Sequence, residues 1–395
     1  MNSSPTERIR IQSIDILRGI VMIIMALDHV RDFFHATAMT NDPTDMNTTS
    51  PALFFTRWIT HFCAPVFLFL SGCSAYLNGL KKTRAELRQF LLKRGLWLIA
   101  VELVIVTLGI TFDPLYHMFI LQVIWATGIS MVILSQLLRL PFKAILAIGL
   151  FIFLGHNLLD FAEAARKGQI GILWTFLHGQ GSFISLGHSR AIFLVYSFVP
   201  WTGLMILGYC CGVFFGPDFN AARRRQVLMR LGVIMIVAFV VLRWLNVYGD
   251  RQHWSAQRNG LYTFLSFLNT NKYPPSLLYS CMTIGPALIV LALLERYNNR
   301  FTRFVSVYGK VPFFYYIIHF YLIHTLCMIA YFMQHLPLKD AFNTGTGFAF
   351  RPQHFGYVLP VVYLIWMAVV LVLYIPCKRY SNYKRHHHQW WLSYL

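Results

Sequence analysis

The residues best suited to chemistry in this sequence form a short run of ionisable side chains inside the first apolar segment. Residues 28–35 read DHVRDFFH, and on an α-helix both acids, the arginine and the second histidine share one face, with His29 at its edge. A histidine within hydrogen-bonding distance of a carboxylate can act as a general base, because the acid orients the ring and stabilises the imidazolium. We therefore predict that His29, paired with Asp28 or Asp32, is catalytic.

An alternative interpretation of this run is a cap at the membrane interface, in which long polar side chains reach out to water. Ionisable residues inside an apolar span are costly, however, and they usually mark a functional site. We favour the functional interpretation and predict that Arg31 and His35 contact the substrate. For His35, which ends the run, an ordinary loop histidine is an equal alternative.

Further ionisable residues lie in two other apolar segments. Arg57 and His61 are one helical turn apart in the second segment and can face the first cluster across a helix–helix contact. We predict His61 as a second catalytic candidate and Arg57 as a substrate contact. His319 and His324 lie in the ninth segment, and His319 is too deep in it to be an interfacial residue. Both are predicted to contact the substrate.

A metal site is the rival explanation for so many histidines, of which the chain has 15. No pair of them follows a compact ligand motif such as H-E-x-x-H. We therefore expect no metal ion.

These residues must be positioned by helices in a membrane. Hydrophobic residues make up 57% of the chain and charged residues 12%, about half of the ~25% found in soluble domains, and the mean hydropathy is +0.54. The apolar runs predict an all-α, polytopic membrane protein with about ten transmembrane helices. No linker separates the runs, so residues 1–395 are expected to form one transmembrane domain. The predicted spans are 14–35, 51–79, 95–113, 115–138, 143–161, 191–215, 227–247, 276–295, 311–334 and 356–377.

The distribution of charge predicts how these spans are oriented. The 34 Lys and Arg residues outnumber the 15 Asp and Glu residues, and most of them fall in the two termini and in alternate loops. By the positive-inside rule, residues 1–13 and the basic tail 378–395 are then cytoplasmic. Charge placed in this way orients helices, so we expect membrane lipid and not nucleic acid around the chain.

Several motifs of this sequence are shared with a known enzyme family. They are the segment 10–19 (RIQSIDILRG) followed by Asp28-His29, the segment 62–72, Pro200-Trp201 with Gly208-Tyr209, the segment 272–276 and the segment 309–324. With these motifs, spread over nearly the whole chain, the protein resembles the bacterial relatives of lysosomal heparan-α-glucosaminide N-acetyltransferase, within the transmembrane acyltransferases. The resemblance implies a bacterial inner-membrane enzyme that transfers an acetyl group from cytosolic acetyl-CoA to an extracytoplasmic sugar. The acceptor would be an amino sugar or a glycan hydroxyl, and the relatives make a homodimer reasonable.

The resemblance leaves the identity of the active histidine open. Membrane O-acyltransferases of envelope sugars similarly have Asp-x-x-Arg-Gly followed, fourteen residues after the Asp, by a catalytic histidine, and Asp15 and His29 have this separation. The lysosomal enzyme has an amide residue at the position of His29 and its active histidine in the following loop. His29, His35 and His61 therefore stay alternatives for the base, which would act by direct transfer or through an acyl-His intermediate.

A donor that enters from the cytosol needs cations for its phosphates. The expected donor-binding residues are Asp15 and Arg18 in the first span and Lys81 and Arg84 in the next cytoplasmic loop. The alternative for the loop cations is a purely topological role, and for Asp15 and Arg18 a structural ion pair.

A second class of function uses the same in-membrane residues. A transporter or flippase for a small or lipid-linked solute could employ the His, Asp and Arg cluster as a proton relay or substrate site. Carriers commonly show internal repeats, and none is detected in this sequence. The acyltransferase is therefore the preferred hypothesis.

Overall fold

The computed structural model describes residues 11–165, 171–187, 189–387, 389 and 392, and most of them are helical. The Ser50 side chain caps the second helix, and Thr83 and Glu86 form a capping box for the fourth. The second and third helices meet at a break at His61, and the fourth runs into the fifth through a π-helical turn, Glu102–Val106. The first helices are α1 (Gln12–Phe34), α2 (Pro51–Thr60), α3 (Cys63–Gly79), α4 (Arg84–Val101) and α5 (Thr107–Thr111).

The middle of the chain combines helices with a small sheet. Its strands are β1 (Met118–Leu121), β2 (Ser182–Gly187) and β3 (Arg190–Leu194). Strand β3 pairs in parallel with β1, Met118 opposite Ala191, and antiparallel with β2, Ser182 opposite Leu194. The helices are α6 (Val123–Leu137), α7 (Phe142–Gly155), α8 (Leu158–Ala165), α9 (Ile172–His178) and α10 (Phe198–Cys211), which ends in a 3₁₀ turn, Gly212–Phe215.

The last part of the described chain is helical apart from its loops. Its helices are α11 (Ala221–Leu245), α12 (Gly260–Leu268), α13 (Leu277–Leu294), α14 (Arg300–Lys310), α15 (Pro312–Met333) and α16 (Leu359–His386), with a 3₁₀ turn at Leu338–Asp340. Helix α16 runs to His386, so the first part of the predicted tail 378–395 continues this helix. Residues 1–10 of the predicted N-terminal segment lie outside the described residues.

Six helical segments of the described chain are long and apolar enough to cross a membrane. Helices α7 and α8 make a seventh if they form one span bent by 47°. The six segments are Pro51–Gly79, Phe198–Phe215, Ala221–Leu245, Leu277–Leu294, Pro312–Met333 and Leu359–His386. The chain is thus mostly helical, with six or seven candidate membrane spans.

The predicted number of about ten spans is not confirmed. Three of the predicted spans are helical over most of their length, but they do not combine the length and the apolar composition that crossing a membrane requires. They are 14–35, 95–113 and 115–138. Helix α1 carries five charged residues, helix α6 is 15 residues long, and the π-helical turn interrupts the third segment.

Two predicted spans were placed partly on strands. The predicted span 115–138 begins on β1 and the predicted span 191–215 on β3, so the helices start later, at Val123 and Phe198. A short apolar run cannot be assigned to helix or strand from periodicity alone. The aromatic and β-branched residues of both strands favour the extended form. The all-α prediction is therefore incomplete, because the mostly helical chain also contains this three-stranded sheet.

Helix α1 lies at the centre of the fold, in contact with α2, α3, α13, α14, α15 and α16. Two glycines permit its close crossing with α14. A Cβ at Gly19 would overlap the carbonyl oxygen of Val305, and a Cβ at Gly309 would overlap that of Asp15. Both glycines belong to the sequence motifs 10–19 and 309–324, which therefore set how closely the two helices approach.

Candidate active site

Four charged side chains from α1 and α2 form one ion-pair network. Arg31 Nη2 donates to Asp28 Oδ1 at 2.9 Å and to Asp32 Oδ1 at 2.6 Å. Arg57 Nη1, on α2, donates to both carboxylate oxygens of Asp28, at 2.8 and 2.5 Å. Asp28 and Arg31 are buried, so the opposite charges compensate one another in place of water. The predicted approach of Arg57 to the first cluster is present in the structure.

His29 pairs with a second histidine. Its Nδ1 lies 2.6 Å from Nε2 of His319 on α15. His319 Nδ1 in turn lies 2.5 Å from the carbonyl oxygen of Tyr316, which can only accept a hydrogen bond. For neutral rings, His319 therefore donates from Nδ1 and accepts at Nε2, and His29 donates from Nδ1. The remaining ring nitrogen, His29 Nε2, keeps its lone pair and is the atom able to take up a proton.

The predicted pairing of His29 with Asp28 or Asp32 is not found among the described residues. The physical reason is competition for the carboxylate oxygens, because guanidinium groups are strong, charged donors. Arg57 contacts both oxygens of Asp28, and Arg31 bridges Asp28 and Asp32. The carboxylates therefore fix the arginines, and His319 fixes the tautomer of His29.

Ring packing holds the orientation of His29. Its imidazole stacks on the ring of Phe320, with centroids 4.2 Å apart, and on that of His319, at 4.9 Å. His319 is fully buried and also stacks on Tyr315. A side chain locked by a hydrogen bond and by packing loses little further freedom when it reacts, which is the requirement for a preorganised site.

A small cavity of about 40 Å³ lies beside His29. Helix α1 lines it from Val21 to His29, which is about 12 Å of helix at 1.5 Å per residue. The α1 wall is apolar at Val21, Met22 and Met25 and polar at Asp28 and His29. A volume of this size holds water-sized groups and is too small for a sugar, so the cavity must widen to admit one. Its other lining residues are Thr60, Cys63, Ala64, Phe67, Val123, Tyr196, Lys272 and Tyr316.

The cavity contains a lysine that the sequence analysis did not select. Lys272 lines the cavity together with Asp28 and His29, and it is only 8% exposed. A signal was available in the sequence, because Lys272 opens the motif 272–276 immediately before a predicted span. It was treated as part of a family motif rather than as a charge buried beside the first helix.

The turn that carries Lys272 is fixed by hydrogen bonds. Asp250 Oδ2 accepts from the backbone N–H of Asn271 at 2.9 Å and from Ser276 Oγ at 2.6 Å. Burial raises the pKa of the Asp250 carboxyl, while the hydrogen bond from Ser276 and the charge of Arg243 act in the opposite direction. Ser276 is also the N-cap of α13, so the turn is joined directly to the start of that helix.

Arg351 closes the C-terminal end of α1. Its guanidinium group is fully buried and donates to the carbonyl oxygens of Asp32 and His35, at 3.2 and 2.9 Å. Carbonyls at this end of a helix carry partial negative charge, which a guanidinium stabilises. Arg351 was not predicted as a site residue, yet it positions the end of α1 that carries the ion-pair network.

The other two histidines predicted as alternatives for the base lie apart from the His29–His319 pair. His35 follows α1, is half-buried, and has its Nδ1 3.1 Å from Thr37 Oγ1. His61 lies at the break between α2 and α3, where its carbonyl accepts from Tyr279 Oη at 2.7 Å. The Nδ1 atom of His61 is buried and has no partner among the described residues. Neither ring lines the cavity, so the geometry favours His29 as the base.

His324 is held by the backbone. Its Nδ1 lies 3.2 Å from the Gly109 carbonyl oxygen and its Nε2 lies 2.7 Å from that of Ala349. The ring also stacks on Phe112, with centroids 3.8 Å apart. Both nitrogens therefore face main-chain acceptors, and the structure does not bring His324 to the cavity. Through these two contacts His324 connects α5 to the loop before α16.

The residues predicted to bind the donor lie toward the opposite end of α1. Arg18 Nη2 donates to Ser74 Oγ on α3 at 2.7 Å, and its Nη1 lies 3.5 Å from Asp15 Oδ1. Ser74 precedes the end of α3 by about 8 Å of helix. The next loop, with exposed Lys81 and, at the start of α4, exposed Arg84, is therefore at the same end of the helices as Asp15 and Arg18.

Glu102 is a buried carboxyl that the sequence analysis missed. It begins the π-helical turn, is fully buried, and accepts from the backbone N–H of Gln122 at 2.6 Å through Oε1. Its Oε2 has no partner among the described residues. Turns of this kind within α-helices often occur at functional sites. An acid in the middle of the apolar run 95–113 was the signal that could have identified it.

One group among the described residues has the geometry of a metal site: Asp160, Glu163 and His178. His178 Nδ1 lies 2.8 Å from Glu163 Oε1. Arg251 bridges the two acids, donating to Glu163 Oε2 at 2.8 Å and to Asp160 Oδ1. Because the guanidinium already supplies positive charge between the carboxylates, the arrangement is that of a salt-bridge cluster.

The comparison with protein families identifies the family of the chain. Residues 10–249, more than half of the chain, match the family model described as heparan-alpha-glucosaminide N-acetyltransferase, catalytic. The chain belongs to this family. The comparison with curated proteins found no match. In this heparan-α-glucosaminide N-acetyltransferase relative the matched region includes His29 and the whole ion-pair network. Lys272 and His319, which complete the cavity and the histidine pair, follow the matched region.

Proposed function

We propose that the protein is an acetyl-CoA-dependent transmembrane acetyltransferase that acetylates an amino sugar or a glycan hydroxyl outside the bacterial inner membrane. One observation carries the proposal. His29 donates from Nδ1 to His319, so its Nε2 keeps a lone pair, and its ring lines a cavity that runs along α1. Family membership supports the class of reaction, acetyl transfer.

The proposed topology places the donor and the acceptor at opposite ends of this cavity. We propose about ten spans with the N-terminus and the tail in the cytoplasm. Arg18 is then near the cytosolic end of α1, and His29 lies about 16 Å further along the helix. Acetyl-CoA would bind its phosphates near Arg18, Lys81 and Arg84, with Asp15 orienting Arg18. Its thioester would reach His29 along the apolar wall formed by Val21, Met22 and Met25.

The reaction then needs one proton acceptor at His29 Nε2. This atom takes the proton of the acceptor amine or hydroxyl while the amine or hydroxyl attacks the thioester carbonyl carbon. A C–N or C–O bond forms, the C–S bond breaks, and the proton passes to the departing sulfur to give free CoA. In an acyl-His mechanism the same lone pair attacks the carbonyl first. In both routes His319 accepts the Nδ1 hydrogen bond and so stabilises the charged His29 ring.

The proposal is tested with purified protein in detergent or nanodiscs. Acetyl-CoA binding is measured by calorimetry, and transfer of a radiolabelled acetyl group to glucosamine is measured separately. We expect binding by the wild type and by His29→Ala, and transfer by the wild type alone. The control His253→Ala changes an exposed loop histidine and should behave as the wild type.

The outcomes separate the candidate functions. Absence of acetyl-CoA binding by the wild type contradicts the proposal and favours the transporter or flippase alternative. Transfer that survives in His29→Ala contradicts the role of His29 and directs attention to His61 or His35. The proposed homodimer is checked on the same samples by light scattering of the detergent-solubilised protein.

A further inference from the structure

Lys272 is a buried cation that forms no ion pair among the described residues. Its ammonium group lies over the ring of Tyr273, 5.2 Å from the centroid, and no hydrogen bond or ion pair joins it to an acid in the described part of the chain. Burying an ammonium group without a hydrogen-bonded counter-charge is costly. A fold that keeps such a group in a cavity therefore suits a ligand with negative charge.

The two acids of the ion-pair network already bind arginines. Asp28 accepts hydrogen bonds from Arg57 on both carboxylate oxygens and from Arg31 on one. Asp32 accepts a hydrogen bond from Arg31. The network and the cavity together thus contain three cations, Arg31, Arg57 and Lys272, and two carboxylates. The surplus positive charge belongs to Lys272, which shares the cavity with His29.

The backbone holds this charge in place before any ligand binds. Asp250 fixes Asn271 and Ser276 on the two sides of the turn, and the Ser276 N-cap ties it to α13. Groups that stabilise a transition state are most effective when they are preorganised, because no reorganisation is then needed during the reaction. The turn meets this condition, and the long lysine side chain reaches from it into the cavity.

We propose that Lys272 is a catalytic residue whose ammonium group binds the negatively charged oxygen that forms on the acetyl carbonyl during transfer. The inference rests on the proposed function and adds an electrophilic partner to the base. His29 and Lys272 line the same cavity, so a carbonyl group placed there is within reach of both side chains.

Acetyl transfer at this site passes through a tetrahedral oxyanion. The acceptor nitrogen or oxygen forms a bond to the carbonyl carbon and gives its proton to His29 Nε2, while the electron pair of the C=O bond moves to oxygen. Lys272 stabilises this oxyanion without giving up a proton. The electron pair on the oxyanion then re-forms the C=O bond, the C–S bond breaks, and the proton on His29 goes to sulfur. No oxidant, reductant or other reactant is required.

Two measurements test the role of Lys272. The first is acetyl transfer to glucosamine, analysed as kcat and KM. The second is binding of acetyl-CoA and of S-carboxymethyl-CoA, which carries a carboxylate close to the position of the acetyl carbonyl and needs no turnover. The variants are Lys272→Met, which keeps chain length without charge, and Lys272→Arg, which keeps charge. Lys339→Met, at an exposed lysine, is the matched control.

We expect kcat to fall about 100-fold in Lys272→Met, the usual effect of losing one oxyanion donor, with acetyl-CoA affinity unchanged. The wild type should bind S-carboxymethyl-CoA more tightly than acetyl-CoA, and Lys272→Met should lose that preference. Lys272→Arg should retain part of both effects, which shows that the charge and not the fold is responsible. Lys339→Met should match the wild type.

Other results overturn the inference in distinguishable ways. If Lys272→Met keeps kcat and the preference for S-carboxymethyl-CoA, Lys272 has no role at the carbonyl, although the acetyltransferase proposal stands. If Lys272→Met raises only the KM for glucosamine, the lysine binds the acceptor instead. If the wild type binds neither CoA derivative, the proposed function and this inference both fail.

Discussion

Replacing His319 by phenylalanine tests the histidine pair, since the change removes the acceptor for His29 and keeps a ring of similar volume. His319 is fully buried between Tyr315 and Phe320, so the new ring can occupy the same space. The hydrogen bond from His29 Nδ1 is lost, and the His29 ring is then free to carry its proton on Nε2.

The size of the effect follows from the charge that His29 gains. As His29 takes up a proton, its bond to His319 becomes a hydrogen bond from a charged group, which contributes ~1.5–3 kcal/mol. Each ~1.4 kcal/mol is a factor of ten in rate. We therefore expect kcat to fall ~10- to 100-fold in His319→Phe. The affinity for acetyl-CoA should be retained, because the proposed site of the donor phosphates is at the other end of α1.

The assay is the initial rate of acetyl transfer to glucosamine at saturating acetyl-CoA, with thermal unfolding measured on the same preparation. His319→Gln is the matched control, since its amide oxygen can accept the bond from His29, and it should fall between the wild type and His319→Phe. A His319→Phe protein that unfolds at the wild-type temperature and keeps wild-type kcat would refute the assignment of His319 as the positioning residue for His29.

Three further predictions concern the helices that frame the site. Gly309→Ala should lower the unfolding temperature, because overpacking costs ~1–3 kcal/mol. Gly171 has open space around it, so Gly171→Ala should not lower this temperature. Equal unfolding temperatures for the two variants would contradict the close crossing of α1 and α14. Arg57→Met should lower the free energy of unfolding by ~3–5 kcal/mol, because it leaves Asp28 charged and partly unpaired. Adding Asp28→Asn should restore part of this loss, and a double variant that is no more stable than Arg57→Met would count against the ion-pair network. Arg18→Met should weaken acetyl-CoA binding about tenfold in calorimetry with little change in kcat, and unaltered affinity would remove Arg18 from the donor site.

The sequence was sufficient to predict the charged part of the site. Charges in an apolar helix stand out from the composition around them, and helical spacing places the side chains of Asp28, Arg31 and Asp32 on one face. The approach of Arg57 also followed, because the second apolar segment is adjacent in the chain and returns along the first. Local pattern and short connections were enough for these residues.

The partner of His29 could not be predicted in the same way. His319 follows it by 290 residues, and a single sequence does not say which of many apolar helices pack together. Lys272 was missed as a site residue for a related reason, since a lysine next to a predicted span is ordinarily a loop charge at the membrane surface. Only the three-dimensional structure shows that it is buried and lines the cavity beside α1. The strands β1 and β3 were included in predicted helical spans, because the periodicity of a short apolar run does not distinguish a strand from a helix.

The most direct test of the central claim is the fate of the acetyl group when radiolabelled acetyl-CoA is mixed with glucosamine and the purified wild-type protein or its His29→Ala variant. We expect N-acetylated glucosamine with the wild type, loss of at least ~99% of that product with His29→Ala, and equal acetyl-CoA binding by the two proteins. Undiminished product with His29→Ala, at equal protein and equal binding, would contradict the claim that His29 Nε2 accepts the proton.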